Sequence, residues 1–113
     1  MKSMEEMIQA AQQAAETIQK QMTEAQAKLD SIEVEGVSGG GLVKIRCTAK
    51  GRVVGVAIDD SLMNASEKQM LEDLVAAAFN DARSKADQAS GEEMAKMQQG
   101  LGLPPGFKLP GMG

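Results

Sequence analysis

The 113-residue sequence predicts one α+β domain: a long N-terminal helix, a three-stranded antiparallel sheet, a long C-terminal helix and a Pro/Gly-rich tail. Three patterns carry this expectation. Apolar residues recur at heptad spacing from Met1 to Ile32, a two-residue alternation replaces them up to Ile58, and a helical period returns after Ser66. A chain this long supports one modest core. The domain is therefore placed at residues 1–98 and the tail at 99–113.

The first helix is expected over residues 3–32, which are rich in Ala, Gln, Glu, Lys and Met and contain neither Gly nor Pro. Met1, Met4, Ile8, Ala11, Ala15, Ile18, Met22, Ala25, Leu29 and Ile32 are separated alternately by three and four residues. That is the seam of a coiled coil. Thirty helical residues span ~45 Å, more than a compact core of this size accommodates. So narrow a seam buries little alone and calls for a partner helix, from this chain or from a second copy. A projecting or dimer-forming arm is favoured over a plain core helix, because its several seam alanines permit close helix approach.

Residues 42–49 and 52–58 alternate and are rich in β-branched side chains, with Lys50-Gly51 between them. This predicts a hairpin with a two-residue loop in which Gly51 supplies a positive φ. Pairing Ala49 with Arg52 sets Val43 opposite Ile58, Ile45 opposite Val56 and Cys47 opposite Val54, all on one apolar face. Cys47 then belongs to the core. The stretch "SIEVEGV" supplies a third strand. If Val37 pairs with Leu42 across the Ser38–Gly41 loop, Val34 meets Ile45, and Glu35 and Glu33 meet Lys44 and Arg46 on the other face. Lys50 and Arg52 are left without a partner at the hairpin tip. For the second helix, Ser66 with Gln69 forms a capping box. Met70, Leu71, Leu74, Val75, Ala78, Phe79 and Ala82 give it a broad apolar face suited to covering the sheet. Ser90-Gly91 weakens the helix, so residues 92–98 are either a continuation or a separate turn. The tail "GLGLPPGFKLPGMG" is too rich in Pro and Gly for regular structure; its Leu101, Leu103, Phe107 and Leu109 suit docking or remain free.

Composition excludes several functions. The chain has no His, Tyr or Trp, one Cys and two Phe. Histidine-based acid–base catalysis, a Cys/His zinc site and an aromatic platform for unpaired bases are therefore not expected. Asp59-Asp60 reads as loop and helix-dipole residues, without further ligands spaced for a metal. No enzyme activity, cofactor or metal is expected. A single Cys suits a reducing compartment, the opening residues carry acids and glutamines where a secretory leader is apolar, and no apolar run approaches membrane-spanning length. The net charge of −4 is polarised: residues 1–35 and 59–98 are acidic, whereas residues 36–58 carry Lys44, Arg46, Lys50 and Arg52 and no acid.

With this element order in place, "SGGGLVKI", "VAIDDSLM", "MLEDLVAAAFNDARSKA" and "LPPGFKLPGMG" resemble the YbaB/EbfC family of small bacterial nucleoid-associated proteins, over essentially the full chain. The resemblance implies a tweezer-like homodimer in the bacterial cytoplasm and nucleoid. Such a dimer binds double-stranded DNA with weak sequence preference, organises the chromosome and influences gene expression. Candidate phosphate contacts are Lys2, Lys20 and Lys28 on the first helix, Lys50 and Arg52 at the hairpin tip, and Arg83 and Lys85 on the second helix. The alternative is a protein-interaction module of the replication or repair machinery, offering its acidic helices and apolar tail to other proteins.

Overall fold

A computed structural model describes residues 3–100 of the chain. The first helix, α1 (Met4–Ser31), starts where the sequence reading placed it. The Ser3 side chain accepts from the Glu6 amide at 3.1 Å, and Glu5 and Glu6 occupy the first turn, where the helix dipole favours acids. Ile32 leaves the helix in extended conformation and leads into β1 (Glu33–Ser38), followed by β2 (Val43–Thr48) and β3 (Val53–Ile58). The three form one antiparallel sheet in the order β1-β2-β3. Two short 3₁₀ turns then lead into α2 (Lys68–Gly100), which runs unbroken through Ser90-Gly91. Residues 92–98 are thus a continuation of the helix.

The β2–β3 register agrees with the expectation over Val43–Ile58 and Ile45–Val56 and departs from it at the tip. The Thr48 amide donates to the Arg52 carbonyl, and the Gly51 amide to the Thr48 carbonyl, each at 2.8 Å. The loop is therefore three residues long, Ala49–Gly51. Gly51, at φ 93, takes the left-handed position that closes such a loop. The register recovers through an irregularity between Arg46 and Cys47, so Cys47 faces Val53 rather than Val54. The β1–β2 pairing is shifted by two residues from the expectation. Val34 faces Cys47, Gly36 faces Ile45, Glu35 faces Arg46 and Val37 faces Lys44. An even shift keeps every side chain on its face but changes its partners.

The core explains that shift. Val43, Ile45 and Cys47 pack under a stripe of small residues on α2, Ala78, Ala82 and Ala86, with Leu62 at one end. Gly36 lies directly beneath this helix: a Cβ there would sit 2.2 Å from the Ala82 nitrogen and 2.3 Å from the Ala78 oxygen. Only glycine at this position lets the backbones approach, and placing it opposite Ile45 centres the helix on β1 and β2. The second helix also starts differently from the expectation. Asn64, not Ser66, is the cap: its Oδ1 accepts from the Glu67 amide at 3.1 Å and from the Ser66 hydroxyl at 2.5 Å, and the 3₁₀ turn Ala65–Glu67 precedes α2.

Among the described residues, two surfaces stay uncovered. Because α2 lies over β1 and β2, the apolar side chains of β3 are exposed: Val54 by 41%, Val56 by 54% and Ile58 by 36%. The sequence placed these under the second helix. The other bare surface is the outer half of α1. This helix packs antiparallel against the end of α2 through Leu29, Ala25 and Met22, but Met4, Met7 and Ile8 project past it into solvent. The molecule is accordingly slender, 77 × 22 × 17 Å.

Candidate nucleic-acid interface

The sheet and helices bring part of the predicted basic set together. Gly51 lies between Lys50 and Arg52 at the hairpin tip, and the Arg83 guanidinium of α2 rests over it; a Cβ on Gly51 would meet Arg83 Nη1 at 2.6 Å. Lys50, Arg52 and Arg83 therefore share one corner, at the end of β3. The closing turn of α1 adjoins this corner, because Lys50 Nζ reaches Asp30 Oδ2 at 3.4 Å. Contrary to the expectation, Lys50 thus has a partner. Arg83 Nε pairs with Asp87 Oδ1 at 3.2 Å within its own helix. Arg52 is exposed and, among the described residues, makes no ion pair.

The remaining candidates are scattered. Lys28 Nζ bridges to Glu93 Oε2 at 3.0 Å where α1 meets α2. Lys28 and Lys96 together hold the Glu93 carboxyl below the usual carboxylate range. Lys20 stands exposed on the arm, without an ion pair among the described residues, ~12 Å along the helix from Lys28. Lys2 lies outside the described residues. Lys85 is on the opposite side of the molecule. Its Nζ donates to the Glu35 carbonyl at 2.9 Å and pairs with Asp81 Oδ2 at 3.0 Å.

Lys85 has a structural task. Asp81 Oδ2 also accepts from the Val37 amide at 2.9 Å. That amide and the Lys85 side chain, amide first, hold the Asp81 carboxyl low. Together the two side chains occupy two outward backbone groups of β1, the Val37 amide and the Glu35 carbonyl, and so obstruct that edge of the sheet. Among the described residues, no strand pairs with the outer edge of β3, which stands beside the exposed Val54, Val56 and Ile58. On α2, Phe79 is one turn from Arg83, and so on the β3 side, and is 43% exposed.

Sequence reasoning passed over Lys44 and Arg46, which it matched with Glu35 and Glu33. Arg46 does reach Glu33, at 3.5 Å between side chains that are both more than half exposed. Lys44 sits opposite Val37 and, among the described residues, makes no ion pair. Both lie on the open face of the sheet beside Gly55, over which the Arg46 guanidinium is laid. Their parity on that face was the available signal. Pairing does not disqualify the other cations: exposed ion pairs contribute ~0–1 kcal/mol, which a phosphate can replace. Asp59 is a turn cap, accepting from the Ser61 hydroxyl at 2.6 Å and amide at 3.0 Å, which lowers its own pKa. No group of three or more acid or Cys side chains converges among the described residues.

This is an α-β-β-β-α scaffold in which a basic corner stands beside exposed apolar side chains. Its sequence matches the model of the YbaB/EbfC DNA-binding family over residues 1–101, and the chain belongs to that family. It is 56% identical over 97 residues to a nucleoid-associated protein of Rhodopseudomonas palustris (strain ATCC BAA-98 / CGA009), covering 86% of this chain and 91% of that one. A nucleoid-associated protein of Methylocella silvestris is 48% identical over 96 residues, covering 85% and 90%. The fold is similar to the crystal structure of an uncharacterized protein, HP0035, from Helicobacter pylori. The TM-score there is 0.66 at 23% identity, over 74% of this chain and 87% of that one.

Proposed function

We propose that this chain is a nucleoid-associated protein that binds double-stranded DNA as a homodimer, with weak sequence preference, and thereby organises the chromosome and influences gene expression. It acts without catalysis, in the cytoplasm, on the nucleoid. One observation carries the reading: the basic corner of Lys50, Arg52 and Arg83 stands at the end of β3, whose apolar face and backbone edge are both bare. A second copy joined through β3 covers the apolar face and doubles the basic corner within one body. Lys20 and Lys28 extend the positive groups along α1. Doubling matters because each copy is acidic overall, at −4, so a duplex must meet local cations rather than net charge. A recognition helix or an aromatic wedge is not part of this set, so contacts go to phosphates and discriminate little between sequences.

The test is a titration of purified protein against duplex DNA at two salt concentrations. About six phosphate contacts per dimer predict a roughly thousandfold loss of affinity between about 50 and 200 mM salt. Arg52→Glu and Lys20→Glu should each weaken binding without lowering thermal stability. Binding that ignores salt, or none at low salt, would overturn the proposal. Retention of a protein partner after nuclease treatment, together with no DNA binding, would instead favour a module of the replication or repair machinery.

A further inference from the structure

The apolar seam of α1 is covered over only part of its length. At Met22, Ala25 and Leu29 the end of α2 lies against it, and Ile18 is half-buried. From Ala15 back to Met4 every residue is exposed, with Met4 at 77%, Met7 at 61% and Ile8 at 51%. The seam itself does not stop there, because Met4, Ile8, Ala11 and Ala15 keep the same alternation of three and four residues. Among the described residues α2 ends beside Gln21, where Gly100 rims an open groove between the two helices. A further helix laid antiparallel on residues 4–15 would extend the contact that α2 makes, on the same seam and in the same direction.

We propose that this further helix is residues 4–15 of a second copy. The order of side chains suits self-pairing. In an antiparallel pair, setting Met4 opposite Ala15 of the second copy also sets Ile8 opposite Ala11, and the two-fold axis repeats both contacts. Each large side chain then meets an alanine, so the helix axes keep one spacing throughout. On the flank, Met7 falls against Ala14 of the second copy, again large against small. A parallel pair would set Met4 on Met4, Ile8 on Ile8 and alanine on alanine, leaving voids at the alanine layers. Charge selects the same orientation. Parallel helices would bring two Glu5 side chains and two positive helix starts together, whereas the antiparallel pair sets Glu5 beside the uncharged Gln12. The start of the incoming helix also follows the end of the second copy's α2, so the two dipoles align head to tail. The overlap is ~18 Å long and covers on the order of 700 Å² in total, below the ~1,200 Å² of a stable interface, so the contact is weak between free molecules. It becomes effective where copies are already held close, since tethering raises the local concentration to about millimolar. The arms thus link units gathered by other contacts, and the pairing does not itself rest on the DNA reading.

Sedimentation velocity on the full chain from about 10 µM to about 1 mM tests this, a range that brackets a weak contact. The average mass of wild type should rise by at least about half over that range. Ile8→Glu puts a carboxylate in the middle of the stripe and should hold the mass seen at the dilute end, with an unchanged circular dichroism spectrum. A constant wild-type mass, or equal association by Ile8→Glu, would overturn the proposal. Orientation is read from two single-cysteine proteins, Met4→Cys and Ala15→Cys, each in a Cys47→Ala background. Mixed at high concentration and treated with oxidised glutathione, they should give the mixed disulfide in at least about fivefold excess over either symmetric one. An excess of the symmetric Met4→Cys product would mean parallel helices, and no product would mean that the stripe is covered within its own chain. Either result contradicts the antiparallel pair. No DNA is present in these measurements, so their outcome is separate from whether the chain binds a duplex.

Discussion

Val56→Asp separates a single chain from a paired one. Val56 is 54% exposed in the isolated fold, so an aspartate there remains hydrated and costs the monomer little. In a dimer joined through β3 the same position is covered. Fully burying a Val, Ile or Phe side chain is worth ~1.5–3 kcal/mol, so covering the exposed part of Val54, Val56, Ile58 and Phe79 supplies ~1 kcal/mol each from either copy. The substitution removes that contribution at position 56 and forces a carboxylate out of water, at a cost of ~2 kcal/mol or more. Two-fold symmetry doubles the effect to ~6 kcal/mol, more than ten-thousandfold in dissociation constant. Sedimentation equilibrium at micromolar concentration should show wild type as a dimer and the variant as a monomer with an unchanged circular dichroism spectrum. Ile45→Asp is the contrast: Ile45 is 3% exposed beneath α2, and its variant should not fold. A dimeric Val56→Asp protein, or one that unfolds as Ile45→Asp does, would refute the assignment of β3 as the joining surface.

Gly36→Ala should lower stability by ~3 kcal/mol or more, read as a fall in the urea midpoint, because its methyl group collides with α2 backbone that cannot turn aside. The Cys47 thiol is pushed up by burial, an effect that Arg83 only partly offsets, and it donates to the Ala82 carbonyl at 3.6 Å. It should react with a thiol reagent at least about a hundredfold more slowly in the native protein than in denaturant. Asp81 has a carboxyl held low, so its ionised form stabilises the fold above the ordinary carboxylate pKa of about 4, and this is lost as pH falls through the lower folded value. Asp81→Asn should therefore melt below wild type at neutral pH, with the gap closing as pH drops past 4. A gap that persists in acid would mean that Asp81 acts by shape rather than charge.

The helices, the sheet and the buried face of β2 were legible from periodicity, because a heptad spacing and a two-residue alternation each fix one geometry. The partner of each strand residue was less so. Parity dictates the face alone, and the two-residue shift that sets Gly36 against Ile45 leaves every face intact. The hairpin loop was read one residue short because both loop lengths accept a glycine at Gly51. The helix cap was misplaced because Asn64-x-x-Glu67 and Ser66-x-x-Gln69 satisfy the same rule. The charges were legible as a set and illegible as a surface. Lys50 meets Asp30 and Lys85 meets the Glu35 carbonyl only through folding, across 20 and 50 positions of sequence, and nothing local announces either contact.

The Asp81–Lys85 pair on β1 bears on how many copies the sheet could recruit. With the β1 margin obstructed at Val37 and Glu35, a pair joined through β3 would offer a third copy only a hindered edge. Assembly by this route would then favour a pair over a growing ribbon, even with many molecules at high local concentration.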